Sequence, residues 1–138
     1  MQGGDAFARL QVEMERPVFH HWLRPEAVSA SDDRIEIALT TRPEFCHSAE
    51  PALIHGGIVA SLVDIAGHAV VAVAQGCPAP TLTLSVEFLR PAPAGVLRAT
   101  GLLRKLGRTL SRADVEIYAG DKLVALGRGT FANPGGQP

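Results

Sequence analysis

The longest apolar pattern in the chain runs from Ile58 to Gln75. Ile58, Val59, Leu62, Val63, Ile65, Val70, Val71 and Val73 put apolar side chains on nearly every side of a helix. Gly56 and Gly57 open the run and Gly76-Cys77-Pro78-Ala79-Pro80 closes it, so the pattern predicts one helix from about His55 to Gln75. A helix lying on an open sheet leaves one side wet. All-round apolarity requires cover on the far side as well. A curled sheet plus a second subunit is the simplest cover, and the pattern therefore predicts an obligate oligomer.

After this helix the period falls to two. Leu82, Leu84, Val86 and Phe88 share one face of a strand from Thr81 to Leu89. Residues 96–106, 109–118 and 122–131 read as three more strands, with hairpin-length connections at Gly107-Arg108 and Ala119-Gly120-Asp121. Before the helix, Phe7, Leu10 and Met14 stand at helical spacing over residues 5–15, with Asp5 as N-cap and Pro17 as the stop. Residues 19–30 read as an irregular strand broken near Arg24-Pro25. Residues 34–41 alternate, with Ile35, Ile37 and Leu39 on one face. From Arg42 to Ile54 the pattern is lost, which predicts a loop. The order is helix, two strands, long helix, then a meander. It predicts an α+β fold in which one apolar helix crosses an antiparallel sheet. The expected organisation is one domain over residues 1–138, with an N-terminal helix within 1–17 and a frayed tail at 133–138.

Length and composition agree with a single globular core: 138 residues, 46% hydrophobic and 20% charged. A formal net charge of −1 gives no reason to expect nucleic acid or an anionic membrane as partner. Cys46 and Cys77 form neither a metal-ligand spacing nor a disulfide framework. The first residues are too polar for a secretory signal, and Ser61, Asp64, Gly67 and His68 interrupt the long apolar run. The expectation is a soluble, cytoplasmic protein.

One carboxylate, Asp64, stands inside the apolar helix, nine residues after His55. Unpaired burial there is costly unless the acid is hydrated or used. Glycines at a helix start leave bare N–H groups at the positive end of the helix dipole. Oxyanion donors and a candidate base on one element point to acyl-transfer chemistry. His68 lies one turn beyond Asp64 on the same face, where a catalytic pair or a subunit contact are both open. His20, His21 and His47 lack a metal spacing, so no metal is expected.

The stretch His55-Gly56-Gly57, six residues and Asp64, then TLTLSVEFLRPAPAG and LRKLGRTLSRADVEIYAGDKLVALGRGTF, resembles the hotdog-fold thioesterases. The branch it is most similar to is the PaaI-like acyl-CoA thioesterases, and the resemblance covers roughly residues 19–132. It implies a curved antiparallel sheet wrapped around one long helix. It implies hydrolysis of an acyl- or aryl-CoA thioester to free acid and coenzyme A, with no cofactor beyond the coenzyme A of the substrate. The resemblance assigns Gly56 the oxyanion N–H, Gly57 close approach, and Asp64 the role of general base or nucleophile. Thr81 would help hold the attacking water. His55 itself reads as a structural residue at the helix start, its ring bonded to the loop before the helix, ahead of a role as base. The resemblance also implies sites shared across a homodimer, with the glycine amide and the acid from different subunits, and a homotetramer is the expected assembly. Six residues before His55, where many members carry Asn or Gln, this chain has Ala49. That departure motivates the alternative of a non-catalytic acyl-thioester binding protein. An enoyl-thioester hydratase would need a different Asp/His arrangement from that of Asp64 and His68.

Arg90, Arg104, Lys105, Arg108 and Arg112 cluster along the later strands. Arg104, Lys105 and Arg108 flank one hairpin and are the candidates for coenzyme A phosphates, the alternative being a charged strand edge. Phe45, Val59, Val63 and Phe88 are the candidates for the acyl pocket.

Overall fold

The computed structural model describes residues 3–135. In chain order the elements are α1 (Gly3–Glu15), α2 (Val18–Leu23), β1 (Glu26–Ala30), β2 (Arg34–Thr40), β3 (Cys46–Ala49), β4 (Ala52–Ile54), α3 (Gly56–Gln75), β5 (Thr81–Phe88), β6 (Val96–Leu106), β7 (Leu110–Ala119) and β8 (Lys122–Ala132). Six strands form one sheet in the order β1-β2-β6-β7-β8-β5, every neighbouring pair antiparallel. The long helix packs against five of these strands, β2, β5, β6, β7 and β8, so the sheet wraps around it. The sequence predicted this arrangement of helix and meander.

Alternation decides what faces the helix. Ile35, Ile37 and Leu39 on β2, Leu97 and Ala99 on β6, and Ala113, Val115 and Ile117 on β7 are all buried. Glycine sets how closely the layers approach. A Cβ on Gly101 would fall 2.5 Å from the Ala66 carbonyl oxygen, and one on Gly127 would overlap Val63. Gly101→Ala is expected to cost about 1–3 kcal/mol through this overlap. A lower denaturant midpoint at fixed protein concentration would register it. An unchanged midpoint would mean that the helix shifts outward at no cost.

Several expectations need correction. Residues 18–23 are helical, not the first half of a strand. Pro17, with φ −67° and ψ 138°, sits at the N-cap and starts a short helix. Arg24 ends it in the left-handed region at φ 63°, and only 26–30 is strand. Asp5 lies inside the first turn of α1 rather than capping it. Residues 42–54 contain a 3₁₀ turn at Pro43–Phe45 and the β3–β4 hairpin, elements too short for a periodic signature. The far side of α3 is covered in part by α1, which packs on it within one chain. The apolar face that the alternation of β5 predicts is open in the single chain. Leu82, Leu84 and Phe88 are 54%, 37% and 57% exposed, because β5 forms a sheet edge. Where the tail was expected to fray, Asn133 is buried and its N–H donates to the Thr109 carbonyl. The rest of that expectation, at 136–138, lies outside the described residues.

Candidate active site

The site begins where α3 begins. His55 sits at the N-cap, and its Nδ1 accepts the Gly57 N–H at 2.8 Å. A side chain that accepts a first-turn N–H stabilises a helix start. The His55 backbone N–H donates to the Phe45 carbonyl at 2.8 Å, which ties the helix to the preceding turn. The Gly57 N–H is therefore used. Gly56, at the first helical position, has no intrahelical acceptor for its own N–H. Gly56 opens on a cleft of about 410 Å³, lined among others by His47, Val59, Phe88 and Arg90. A Cβ there would meet only the Phe88 ring, at 3.4 Å. Packing within the chain thus leaves room for a side chain at Gly56. At Gly57 a Cβ would press on His55 Nδ1 at 3.0 Å, so that glycine serves the cap.

Asp64 is half-buried and receives the Thr81 hydroxyl: Oγ1–H donates to Oδ1 at 2.7 Å. The two residues come from α3 and from the first position of β5. They share a second cleft, of about 330 Å³, with Ser61, His68, His20 and Arg16. The two clefts are separate. Eight residues of helix separate Gly56 from Asp64, an axial distance of about 12 Å. No single carbonyl group can touch both in one chain.

Three of the polar residues around Asp64 carry no sequence signal for this role, because tertiary packing alone brings α1 and α2 to the cleft. Glu13 of α1 and Arg16, just past its end, pair at 2.6 Å, and Glu13 Oε1 faces His68 Nδ1 at 3.7 Å. His68 Nε2 accepts the Ala79 backbone N–H at 3.1 Å. Burial pushes the His68 imidazole below its usual range, against the pull of the Glu13 and Asp64 carboxylates. His20 Nδ1 donates to the Met14 carbonyl at 3.0 Å, and burial lowers its pKa also.

The other candidates divide. Val59 and Phe88 line the Gly56 cleft, whereas Phe45 and Val63 are fully buried in the core and line neither cleft. Phe45 packs edge-on against Trp22 with centroids 5.1 Å apart, under the Arg42 guanidinium. Of the hairpin cations, Arg104 pairs with Asp114 at 2.8 Å. Arg128 pairs with the same carboxylate at 2.6 Å, and the two hold Asp114 down at about 2. Lys105 and Arg108 are exposed. None of the three lines either cleft: Arg104 and Lys105 lie at the end of β6 and Arg108 in the hairpin between β6 and β7. Arg90 is the member of the basic cluster that lines the Gly56 cleft. Ala49 is exposed on the β3–β4 hairpin. The Ser48 hydroxyl is turned into that hairpin, onto the Pro51 carbonyl, while His47 reaches the Gly56 cleft. Among the described residues, no group of three His, Cys, Asp or Glu side chains is placed to hold a metal ion.

Comparison with known proteins gives a consistent result. The model of the thioesterase superfamily matches residues 52–126. Human acyl-coenzyme A thioesterase 13 is 30% identical over 107 residues, which cover 75% of each chain. A Halobacterium salinarum protein named as an esterase is 28% identical over 141 residues, covering 92% of this chain and 91% of its own. Among solved structures, the Escherichia coli PaaI protein from the phenylacetic acid degradation operon has a TM-score of 0.87 at 25% identity, with 99% of each chain covered. Another protein described as belonging to the thioesterase superfamily has a TM-score of 0.89 at 33% identity, covering 93% of this chain and 98% of that one.

Proposed function

Because the chain belongs to the thioesterase superfamily, as a thioester hydrolase of the hotdog fold, we propose that it hydrolyses acyl- or aryl-CoA thioesters at a site built from two subunits. The Gly56 N–H of one protomer receives the thioester carbonyl oxygen. Asp64 of the partner subunit takes a proton from the attacking water. The Thr81 hydroxyl donates to Asp64, which leaves the lone pairs of its oxygen free to accept from that water. Water adds to the carbonyl carbon, and the oxyanion that forms is held by the Gly56 N–H and the positive end of α3. Collapse breaks the C–S bond and releases the acid. The proton held by Asp64 returns to the thiolate, directly or through solvent. A carboxylate at this position also has the option of attacking the carbonyl itself, giving an anhydride that water then opens.

Coenzyme A is part of the substrate in this reading and no further cofactor takes part. Arg90 is the cation on the Gly56 cleft suited to a phosphate. Arg104, Lys105 and Arg108 would serve coenzyme A only from outside both clefts. His47 is the polar side chain that stands in for the amide that Ala49 lacks.

The observation that carries this reading is the division of the machinery into two clefts about 12 Å apart along one rigid helix. The exposed apolar side chains of β5, at an open sheet edge, supply a surface for the second copy. A homodimer is the minimum assembly, and a homotetramer places two such pairs together. Complementation tests the sharing. Gly56→Val and Asp64→Asn, each inactive alone, are unfolded together and refolded at equal amounts. A twofold dimer with shared sites leaves one intact site in each hybrid, so about a quarter of wild-type activity returns. No recovery, with hybrids shown to form, would mean that each subunit carries its own complete site.

A further inference from the structure

The segment between α3 and β5 reads Gly76-Cys77-Pro78-Ala79-Pro80. Neither proline has an N–H, so Ala79 supplies the one backbone donor of the Pro-Ala-Pro stretch. Ala79 is fully buried, and that donor is spent on His68 Nε2 at 3.1 Å. Two positions later Thr81 donates to Asp64 at 2.7 Å. Asp64 and His68 stand one turn apart on α3, and Ala79 and Thr81 stand two apart at the start of β5. The start of the strand is thus tied to the helix by two bonds, one at the carboxylate and one at the imidazole.

We propose that His68 is a positioning residue whose neutral imidazole, by holding Ala79, sets the Thr81 hydroxyl on Asp64. This rests on the function proposed above. The tautomer follows from the donor. A backbone N–H can only donate, so Nε2 carries the lone pair and the ring proton sits on Nδ1, facing Glu13. A second proton would place N–H against N–H at Ala79 and break that tie. Every charged or titratable group facing the ring then bears on when this happens. Glu13 faces it from α1, Arg16 from the turn after α1, His20 from α2 and Asp64 from its own helix, while Phe131 of β8 presents an apolar ring. Burial outweighs the two carboxylates and holds the imidazole below its usual range of about 6.5. The folded protein therefore takes up this proton at lower pH than the unfolded chain does. The tie is intact at neutral pH and is lost, with the stability it contributes, as pH falls below that range. The Pro-Ala-Pro stretch transmits the loss to Thr81, because two fixed φ angles leave little slack between Ala79 and the strand.

His68→Gln and His68→Leu test the assignment together with an NMR titration of the wild-type protein. Glutamine keeps an acceptor for Ala79 but does not titrate in this range; leucine fills the space and accepts nothing. In the wild type, the Ala79 amide shift and the His68 ring are expected to titrate together, with the acid limb of kcat at the same midpoint. His68→Gln is expected to keep kcat within about threefold near pH 8, the scale of a retained hydrogen bond, and to move the acid limb to lower pH. His68→Leu is expected to lose about tenfold in kcat at all pH values with little change in KM, because a buried donor is left unpaired beside Asp64. An unchanged acid limb in His68→Gln, wild-type kcat in His68→Leu, or an Ala79 amide indifferent to the ring would overturn the assignment. If the wild-type protein cleaves no thioester, the function proposed above fails, and the NMR titration alone then decides whether the tie exists.

Discussion

Asp64→Asn is expected to fold and assemble as the wild type does and to hydrolyse thioesters at least about 10²-fold more slowly, the usual effect of removing an acid–base group. Asparagine matches the shape of aspartate, and its carbonyl oxygen can still accept the Thr81 hydroxyl that now reaches Oδ1 at 2.7 Å. The half-buried position loses a charge rather than gaining one, so stability is not the quantity at risk. What disappears is the group that takes a proton from water or attacks carbon. The measurement is kcat by release of free thiol, with circular dichroism and light scattering as controls for fold and assembly. Activity within a few-fold of wild type would remove Asp64 from the chemistry.

Gly56→Val is expected to lower kcat/KM by about 10² or more, the cost of one oxyanion contact. The donor is a backbone N–H that no substitution deletes, so the test works by obstruction. A carbonyl oxygen must come within about 2.7–3.1 Å of that nitrogen. The added Cβ points toward the Phe88 ring at 3.4 Å, an ordinary contact with a side chain that is itself 57% exposed. The Cβ fits, and the exposed Phe88 ring can turn aside for the valine methyls, whereas the approach of the thioester to the N–H is obstructed. A folded, assembled variant with normal kcat/KM would show that the carbonyl is polarised elsewhere. A crystal with an inert thioether analogue would then show which donor it meets.

The candidate residues on α3 and at the start of β5 were more legible in the sequence than their surroundings were. The glycine pair, the acid and the strand-opening threonine are local features of an element with a strong period, and Asp64 and Thr81 indeed meet. The cap made by His55 follows from its place just before the first helical turn. By contrast, Val18-Phe19-His20-His21-Trp22-Leu23 is rich in aromatic and β-branched residues, which favour strand. It folds as helix because Pro17 starts a turn that buries His20 and Leu23 three residues apart. No periodicity announces that this short helix and Glu13 of α1 will stand beside a carboxylate more than forty residues away. The position of the hairpin cations was hidden for a related reason. Adjacency in sequence places Arg104, Lys105 and Arg108 together, but the alternation of a strand turns Arg104 to the sheet face opposite α3, where Asp114 neutralises it.

The helical distance from Gly56 to Asp64 has a consequence for how the enzyme can be tuned. Within one subunit the spacing of donor and acid is a fixed number of backbone steps, a ruler that no loop can stretch. In the assembly proposed here, the spacing that chemistry feels is set by how two copies lie against each other. A twofold axis makes the two sites exchange the same displacement, so a slide of the copies that opens one opens the other by an equal amount. Substitutions along the β5 edge, remote from any reacting atom, would then alter both sites in concert, and turnover would vary with subunit packing as sensitively as with the side chains that touch the substrate.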